Sequence, residues 1–221
     1  MVETTGRWRV AAGAVLIQLC LGAIYAWSVF TPALRDAGWS KVQTQIVFAV
    51  SLATFAGVMV LAGRRLTTTG PQRLALSGGL TLGAGYIVAS IGGGTEFWAV
   101  LLGIGLIGGT GIGLAYVVPI AVGMRWFPDH KGMISGVAVA GFGFGAMAWI
   151  KIAGSWGDLI DRIGLDGTFR VYGVTFAILV GLGSLAMVMP PKGWLPAGFT
   201  PVESIGEGSE DFSHREMLRT P

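Results

Sequence analysis

Six long apolar segments constrain this chain more than any other feature of its sequence. A helix needs about 20 residues to cross a bilayer, and each segment is close to that length. Helices satisfy their own backbone hydrogen bonds in lipid. The sequence therefore predicts an all-α membrane protein with six transmembrane helices. Their approximate limits are Val10–Phe30, Val42–Ala62, Leu74–Ile91, Phe97–Val122, Met133–Gly154 and Val171–Met189.

The composition agrees with a membrane protein. Only 12% of the 221 residues are charged and 52% are hydrophobic, whereas about 25% of a soluble domain is charged. This deficit excludes a disordered chain, a nucleic-acid binder and an ordinary soluble enzyme. Cys20 is the single cysteine, so an internal disulfide is impossible. Its apolar surroundings predict an inert buried thiol.

Basic residues indicate the orientation of the helices. With the N-terminus inside, 10 Lys and Arg residues fall on the cytoplasmic side and 5 on the outer side. This bias predicts that both termini are cytoplasmic. After a bundle over residues 1–190, residues 191–221 contain prolines and an acidic stretch, which predicts a polar cytoplasmic linker or tail.

Glycines recur four residues apart on two predicted helices. Faces of small residues let helix backbones approach closely in a membrane, so we interpret these glycines as packing positions. The match to Gly-x-Gly-x-x-Gly at 103–108 lacks the preceding strand of a dinucleotide site. The recurring positions are Gly105, Gly109 and Gly113 in the fourth helix and Gly132, Gly136, Gly141 and Gly145 in the fifth.

Uncharged side chains are the candidate functional groups, because none of the six helix centres carries Asp or Glu. Tyr25 lies in the first helix, two turns after Gln18, and Tyr116 lies in the fourth, three residues before Pro119. A phenol hydroxyl can bind a carboxylate without burying a second charge. Alternatively, each tyrosine packs structurally and bonds a neighbouring helix. Phe142 either lines a cavity or fills the core.

The other polar and aromatic side chains favour structural roles. We interpret Trp27 and Trp39 as membrane-interface residues, and Lys151 either snorkels to the interface or faces a cavity. The acidic residues after the fifth helix are interspersed with arginines, as in a solvated charge cluster, and the two histidines lie far apart. We expect no metal site and no cofactor. The sequence shows no combination of nucleophile, base and orienting group that would predict an enzyme.

Several stretches together resemble one protein family. They are LGAIYAWSVFTPAL at 21–34, AGRRLTTTGPQRLAL at 62–76, GIGLAYVVPIAVGMRWFPDHKGMISGVAVAGFGFGA at 111–146 and the final DFSHREMLRTP. The sequence is similar to the oxalate/formate antiporter and monocarboxylate transporter branch of the major facilitator superfamily. The resemblance covers nearly the whole chain but only the first half of a family member. It implies one six-helix bundle of the major facilitator type.

The resemblance also implies a function. The chain would be half of a secondary transporter for small carboxylates such as oxalate, formate or lactate, in which two bundles rock about a central site. Gly22, Tyr25, Tyr116 and Phe142 match positions expected to line that site. The cationic residues that hold the carboxylate come mostly from the second half of family members. The expected location is a prokaryotic inner (plasma) membrane.

One stretch departs from the family pattern. After the second helix the superfamily carries Asp followed by a basic residue, and this Asp helps to hold a cytoplasmic gate shut through a helix terminus and basic partners. Here those positions are Thr67 and Thr68. Arg64, Arg65 and Arg73 remain as candidate gating residues. Alternatively, these arginines only orient the chain in the membrane.

Three interpretations stay open at this point. The chain could pair with a second six-helix protein, or with itself, to form a carboxylate transporter. It could instead be a non-transporting membrane subunit that stabilises or positions a larger complex, which the missing Asp and the missing cationic anchor favour. It could also be a piece of a longer transporter. The expected partners are the lipid bilayer, a small carboxylate, and either a second half or the subunits of a complex.

Overall fold

Helices dominate the computed structural model, which describes residues 2–191, 193–196 and 199. Helix α1 (Val2–Leu21) continues as a 3₁₀ segment, Gly22–Val29, and a short helix, Thr31–Asp36, follows. No strand occurs in the described residues. The expected all-α class is confirmed for them. The other long helices are α2 (Lys41–Thr69), α3 (Pro71–Ala89), α4 (Phe97–Trp126), α5 (Lys131–Ala153) and α6 (Leu159–Leu185).

Local sequence signals explain where α2 and α3 begin and end. Ser40 caps α2: its hydroxyl accepts a hydrogen bond from the Gln43 N–H at 3.2 Å, and the Gln43 side chain accepts one from the Ser40 N–H at 2.8 Å. This reciprocal pair satisfies two free backbone donors. Gly70 alone separates α2 from α3 with φ 86°, a conformation that favours glycine. Pro71 then opens α3, where its missing N–H costs nothing.

Among the described residues, five helices are long and apolar enough to cross a membrane. They are Gly6–Val29, Lys41–Thr69, Phe97–Trp126, Lys131–Ala153 and Leu159–Leu185. The remaining helix, α3, forms where the third segment was predicted but is not among the five. Its polar residues and four glycines dilute its apolar character. Five candidate membrane helices are therefore observed, and the sixth span stays a prediction.

The helices differ greatly in how much of their apolar surface is buried. The core lies where α3 packs against α4 and α6, and where α1 packs against α4, α5 and α6. In α1 72% of the most apolar window is buried, against only 17% in α2 and 33% in α5. Cys20 is fully buried, as expected. Helices α2 and α5 thus present broad apolar faces outward.

Glycine packing is confirmed for α4 and for half of the α5 positions. A Cβ on Gly109 would approach the Ser51 carbonyl oxygen of α2 to 2.7 Å, and one on Gly113 would approach that of Phe55 to 2.8 Å. A Cβ on Gly145 would overlap the backbone of Leu19 in α1. The prediction is wrong for Gly132 and Gly136 in α5, because no atom of the described residues lies within 4 Å of a Cβ at either position.

Irregular backbone in α4 was not expected from the sequence. Residues Leu101–Gly108 form a π-helix between two α-helical stretches. Pro119 lies inside the regular stretch Gly109–Trp126. A π-helix widens the turn, and here it lets Gly103 and Gly108 pack against Gly85 of α3.

Tryptophan indoles join elements through backbone carbonyls. Trp149 of α5 donates to the Leu19 carbonyl of α1 at 2.9 Å, and Tyr172 of α6 donates to the Trp149 carbonyl. Trp27 donates to the Thr44 carbonyl at 3.0 Å. A buried indole N–H needs such an acceptor.

The prediction that Trp27 and Trp39 are interface residues is wrong. Both are 6% exposed. Trp39 donates to the Thr95 carbonyl oxygen at 2.7 Å. Because each indole N–H has an acceptor within the protein, neither ring needs the membrane–water boundary.

The predicted charge cluster lies at the start of α6, not in a loop, because this helix begins at Leu159 and not at the predicted Val171. Arg162 lies 3.9 Å from Asp158, and Arg170 lies 3.0 Å from Asp166, each one helical turn apart with exposed arginine side chains. The interpretation as solvated charges is confirmed. Of the predicted tail, 191–221, only residues 191, 193–196 and 199 are described, so its character stays a prediction.

Candidate functional site

Three helices bring the predicted site residues Tyr25, Tyr116 and Phe142 together. The Phe142 ring of α5 lies 5.5 Å from the Tyr25 ring and 5.1 Å from the Tyr116 ring, edge-on in both pairs. From α2, Phe48 approaches Tyr25 at 6.3 Å and Phe55 approaches Tyr116 at 5.2 Å. We call these five residues the aromatic cluster. Phe142 is its buried centre at 7% exposed, whereas Tyr25 is 46% exposed.

Gly22 explains why these rings meet. It lies at the start of the 3₁₀ segment, and a Cβ there would overlap the Phe142 carbonyl oxygen. Only a residue without a side chain lets α1 come so close to α5. Gly22 is therefore a packing position that places Tyr25 against Phe142. The structure brings all four sequence-predicted site residues together, but only Tyr25 of the four lines the cavity beside this cluster.

A cavity of about 240 Å³ opens beside Tyr25 and Phe48. Its other lining residues include Ser28, Thr31 and Gln45. Thr31 donates its hydroxyl to the Ser28 carbonyl at 2.8 Å. The cavity is several times larger than the roughly 30 Å³ of one water molecule. It combines aromatic walls with uncharged polar groups.

Charge is sparse around the aromatic cluster. None of the residues lining the cavity beside Tyr25 is acidic or basic. Lys151 is exposed and lies nine residues beyond Phe142 along α5, which is roughly 13 Å at 1.5 Å per residue. It does not join the aromatic cluster. In the described residues, no three His, Cys, Asp or Glu side chains group as metal ligands.

Arg64, Arg65 and Arg73 lie around the junction of α2 and α3, and all three are exposed. Arg73 lines a second cavity of about 290 Å³ with residues that follow α6, including Met187 and Met189. Thr68, at a position where the superfamily pattern has charge, donates to the Arg65 carbonyl at 3.1 Å. Its hydroxyl is thus satisfied within its own helix.

Several known proteins that are similar to this chain are named as transporters. No protein-family model matches the chain. It is 26% identical, over 97% of its length, to an uncharacterized MFS-type transporter, YhjX, of Escherichia coli. It is 28% identical over 97% of its length to an oxalate:formate antiporter of Oxalobacter formigenes, and 28% identical over 85% to monocarboxylate transporter 3 of Rattus norvegicus. Its relatives thus include transporters of the major facilitator type.

The matches cover most of this chain but only part of each relative. The chain covers 51% of the Escherichia coli transporter, 49% of the antiporter and 38% of the rat transporter. It therefore spans about half the length of the first two relatives. The apolar helices and these relatives together indicate that the chain is an integral membrane protein. The three relatives are named as transporters and not as enzymes.

Sequence reasoning missed one ionic cluster between the α4–α5 loop and α1. Arg7 pairs with Asp129 and stacks over the Phe127 ring, with its guanidinium carbon 4.2 Å from the ring centre. His130 Nδ1 lies 2.8 Å from the other carboxylate oxygen of Asp129. The hydrogen bond from Arg7, with a smaller one from His130, lowers the pKa of Asp129 to about 2. Arg7 and Asp129 are 122 positions apart in the sequence, and they meet only because the helices pack together.

Proposed function

We propose that this chain is one half of a secondary transporter for small carboxylates of the oxalate, formate or lactate type. The aromatic cluster beside the 240 Å³ cavity carries the proposal. Tyr25 and Tyr116 can each donate a phenol hydrogen bond to a carboxylate oxygen. Phe142 and Gly22 fix the distance between them. The name of the oxalate:formate antiporter supports this substrate class.

The proposed topology has six membrane crossings with both termini in the cytoplasm. Helix α3 has 19 residues, or roughly 28 Å, close to the hydrocarbon thickness of about 30 Å. The two-to-one bias of basic residues supports the orientation. We place the chain in a prokaryotic inner membrane.

A second six-helix half, or a second copy of the chain, would complete the transporter. The outward apolar faces of α2 and α5 support this part of the proposal. Their large exposed side chains include Ile46 and Val60 of α2 and Val139 and Phe144 of α5. Tyr25 is half-exposed between these faces. The bundles would rock about this surface and expose the cavity to each side in turn.

The second half would also supply the cation that holds the carboxylate. No charged residue in the described part of the chain lines the cavity beside Tyr25, and an anion leaving water needs a charged or strongly donating partner. Arg64, Arg65 and Arg73 lie at one end of α2 and α3. We assign them to the closing of the cytoplasmic side.

A second candidate function is a non-transporting subunit that stabilises or positions a larger membrane complex. The uncharged cavity favours it, and so does Thr68, whose hydroxyl bonds only its own helix. On this alternative the faces of α2 and α5 contact unrelated subunits.

Isolation from native membranes tests the two functions. The chain, with everything that co-purifies, is reconstituted into liposomes, and exchange of labelled oxalate, formate and lactate is measured. The proposal predicts a second six-helix chain or a second copy, and exchange above that of liposomes without protein. Exchange at the background level in a complex with unrelated subunits would overturn it in favour of the alternative.

A further inference from the structure

A groove between α1 and α6 lies apart from the aromatic cluster. It encloses about 420 Å³, the largest volume among the cavities described above. Ala12, Gly13 and Leu16 line it from α1, and Leu182 and Leu185 from α6. Leu182 is 55% exposed and Leu185 is 62% exposed. In a membrane-spanning chain such side chains face lipid.

Small residues form the floor of this groove. A Cβ on Gly13 would lie 2.9 Å from the Gly183 carbonyl oxygen and 2.7 Å from the Ala186 Cβ. The two helices are therefore in close contact at these small residues, and the terminal methyl group of Met187 lies 3.1 Å from the same Cβ. Leu16, Leu182 and Leu185 line its sides. A furrow of this shape fits a flexible hydrocarbon chain, which gains dispersion contacts along its length.

Arg9 is the one cation among the described residues that line the groove, and it is the first of the α1 residues there. Arg9 is exposed and lies three residues into the apolar span Gly6–Val29, and its neighbour Trp8 is 63% exposed. Exposed Arg and Trp at the end of a span mark the level of the lipid head groups. From Arg9 to Leu16 is seven residues, or roughly 10 Å along the helix.

We propose that this groove is a binding site for one phospholipid with a net negative head group. The head group binds Arg9, and the upper part of one acyl chain lies over Ala12 and Gly13 between the leucines. Charge complementarity supports this occupant, because Arg9 is the only charged residue that lines the groove within the described part of the chain. The site is independent of carboxylate transport and stands whether or not the proposed function holds.

Two variants with matched controls test this site. Arg9→Gln removes the cation, and Arg65→Gln removes an exposed arginine outside the groove. Ala12→Phe fills the groove, and Ala84→Phe adds the same ring to an exposed position of α3. Each purified protein is offered phosphatidylglycerol and phosphatidylcholine with identical acyl chains. Retained lipids are counted by native mass spectrometry.

The site predicts distinct losses in the two variants. Arg9→Gln should lower the preference for phosphatidylglycerol about fivefold, since a basic residue near an anionic surface contributes about that factor. Ala12→Phe should remove one retained lipid of either kind, and both controls should behave like the natural chain. Equal effects of Arg9→Gln and Arg65→Gln would overturn the proposal. If Ala12→Phe fails to fold, the comparison of Arg9→Gln with Arg65→Gln alone tests the proposal.

Discussion

Gly22 of the 3₁₀ segment and Phe142 of α5 are in backbone contact, so that a side chain at position 22 would overlap the Phe142 carbonyl. This contact sets the spacing of α1 and α5 and seats Tyr25 5.5 Å from the Phe142 ring. The geometry of the candidate site therefore depends on a residue that carries no functional group.

The first prediction concerns this contact. Gly22→Ala should destabilise the purified protein by about 1–3 kcal/mol, because an added methyl group in a packed interface forces the backbones apart. Thermal unfolding in mild detergent measures the loss. Gly132→Ala is the matched control, since a Cβ there has no neighbour within 4 Å in the part of the chain that the structure describes. Equal unfolding temperatures for the two variants would refute the close contact.

The second prediction concerns Gln18, which is fully buried in α1 with neither amide atom hydrogen-bonded to any residue that the structure describes. Gln18→Leu should raise the unfolding temperature, because an unpaired buried polar group costs about 1–3 kcal/mol. Thr44→Val is the control: Thr44 is 2% exposed and donates to the Lys41 carbonyl at 2.8 Å, so this variant should be less stable. A less stable Gln18→Leu would mean that the amide has a partner.

The third prediction is the pH dependence of the Arg7–Asp129 pair. The pKa of Asp129 is lowered from 3.8 to about 2 by the hydrogen bond from Arg7. A lowered folded-state pKa stabilises the protein above pH 3.8, and this stabilisation is lost as the pH falls towards 2. Thermal unfolding across that range should show the loss in the natural chain.

Two variants isolate the contribution of Asp129. Asp129→Asn should lower stability at pH 5 by about 1–3 kcal/mol and flatten the acid dependence, because a charged hydrogen bond is removed. Asp158→Asn breaks an exposed pair with Arg162 and should change stability by about 0.5 kcal/mol or less. An acid dependence that survives in Asp129→Asn would assign it to another group.

The sequence was informative wherever the pattern was local. Apolar length predicted the helices, and the spacing of glycines predicted the approach of Gly109 and Gly113 to α2. Gly132 and Gly136 have the same spacing but face open space, because spacing identifies a helix face and not what packs against it. The same limit applies to α3. Its composition includes glycines and polar residues, and it does not show which helices pack against them.

Long-range contacts were the part that the sequence could not provide. Trp27 and Trp39 are of the residue type that is common at membrane interfaces, yet each indole N–H donates to a backbone carbonyl inside the fold. The Arg7–Asp129 pair joins α1 to the loop between α4 and α5, and the π-helix of α4 lies where this helix packs against Gly85 of α3. The candidate site is the exception, because the resemblance supplied its residues and the structure brought them together.

Exchange of labelled oxalate, formate and lactate by tyrosine variants tests the central claim most directly. The assay compares reconstituted Tyr25→Phe, Tyr116→Phe and Tyr86→Phe with the natural chain. Tyr86 is 4% exposed and packs against Phe169 and Phe176 in the core, away from the aromatic cluster. Loss of a hydrogen bond to a charged substrate costs about 1.5–3 kcal/mol, so Tyr25→Phe and Tyr116→Phe should each lower exchange at least tenfold. Tyr86→Phe should leave it unchanged. Exchange that persists in both site variants, or falls equally in all three, would contradict the account.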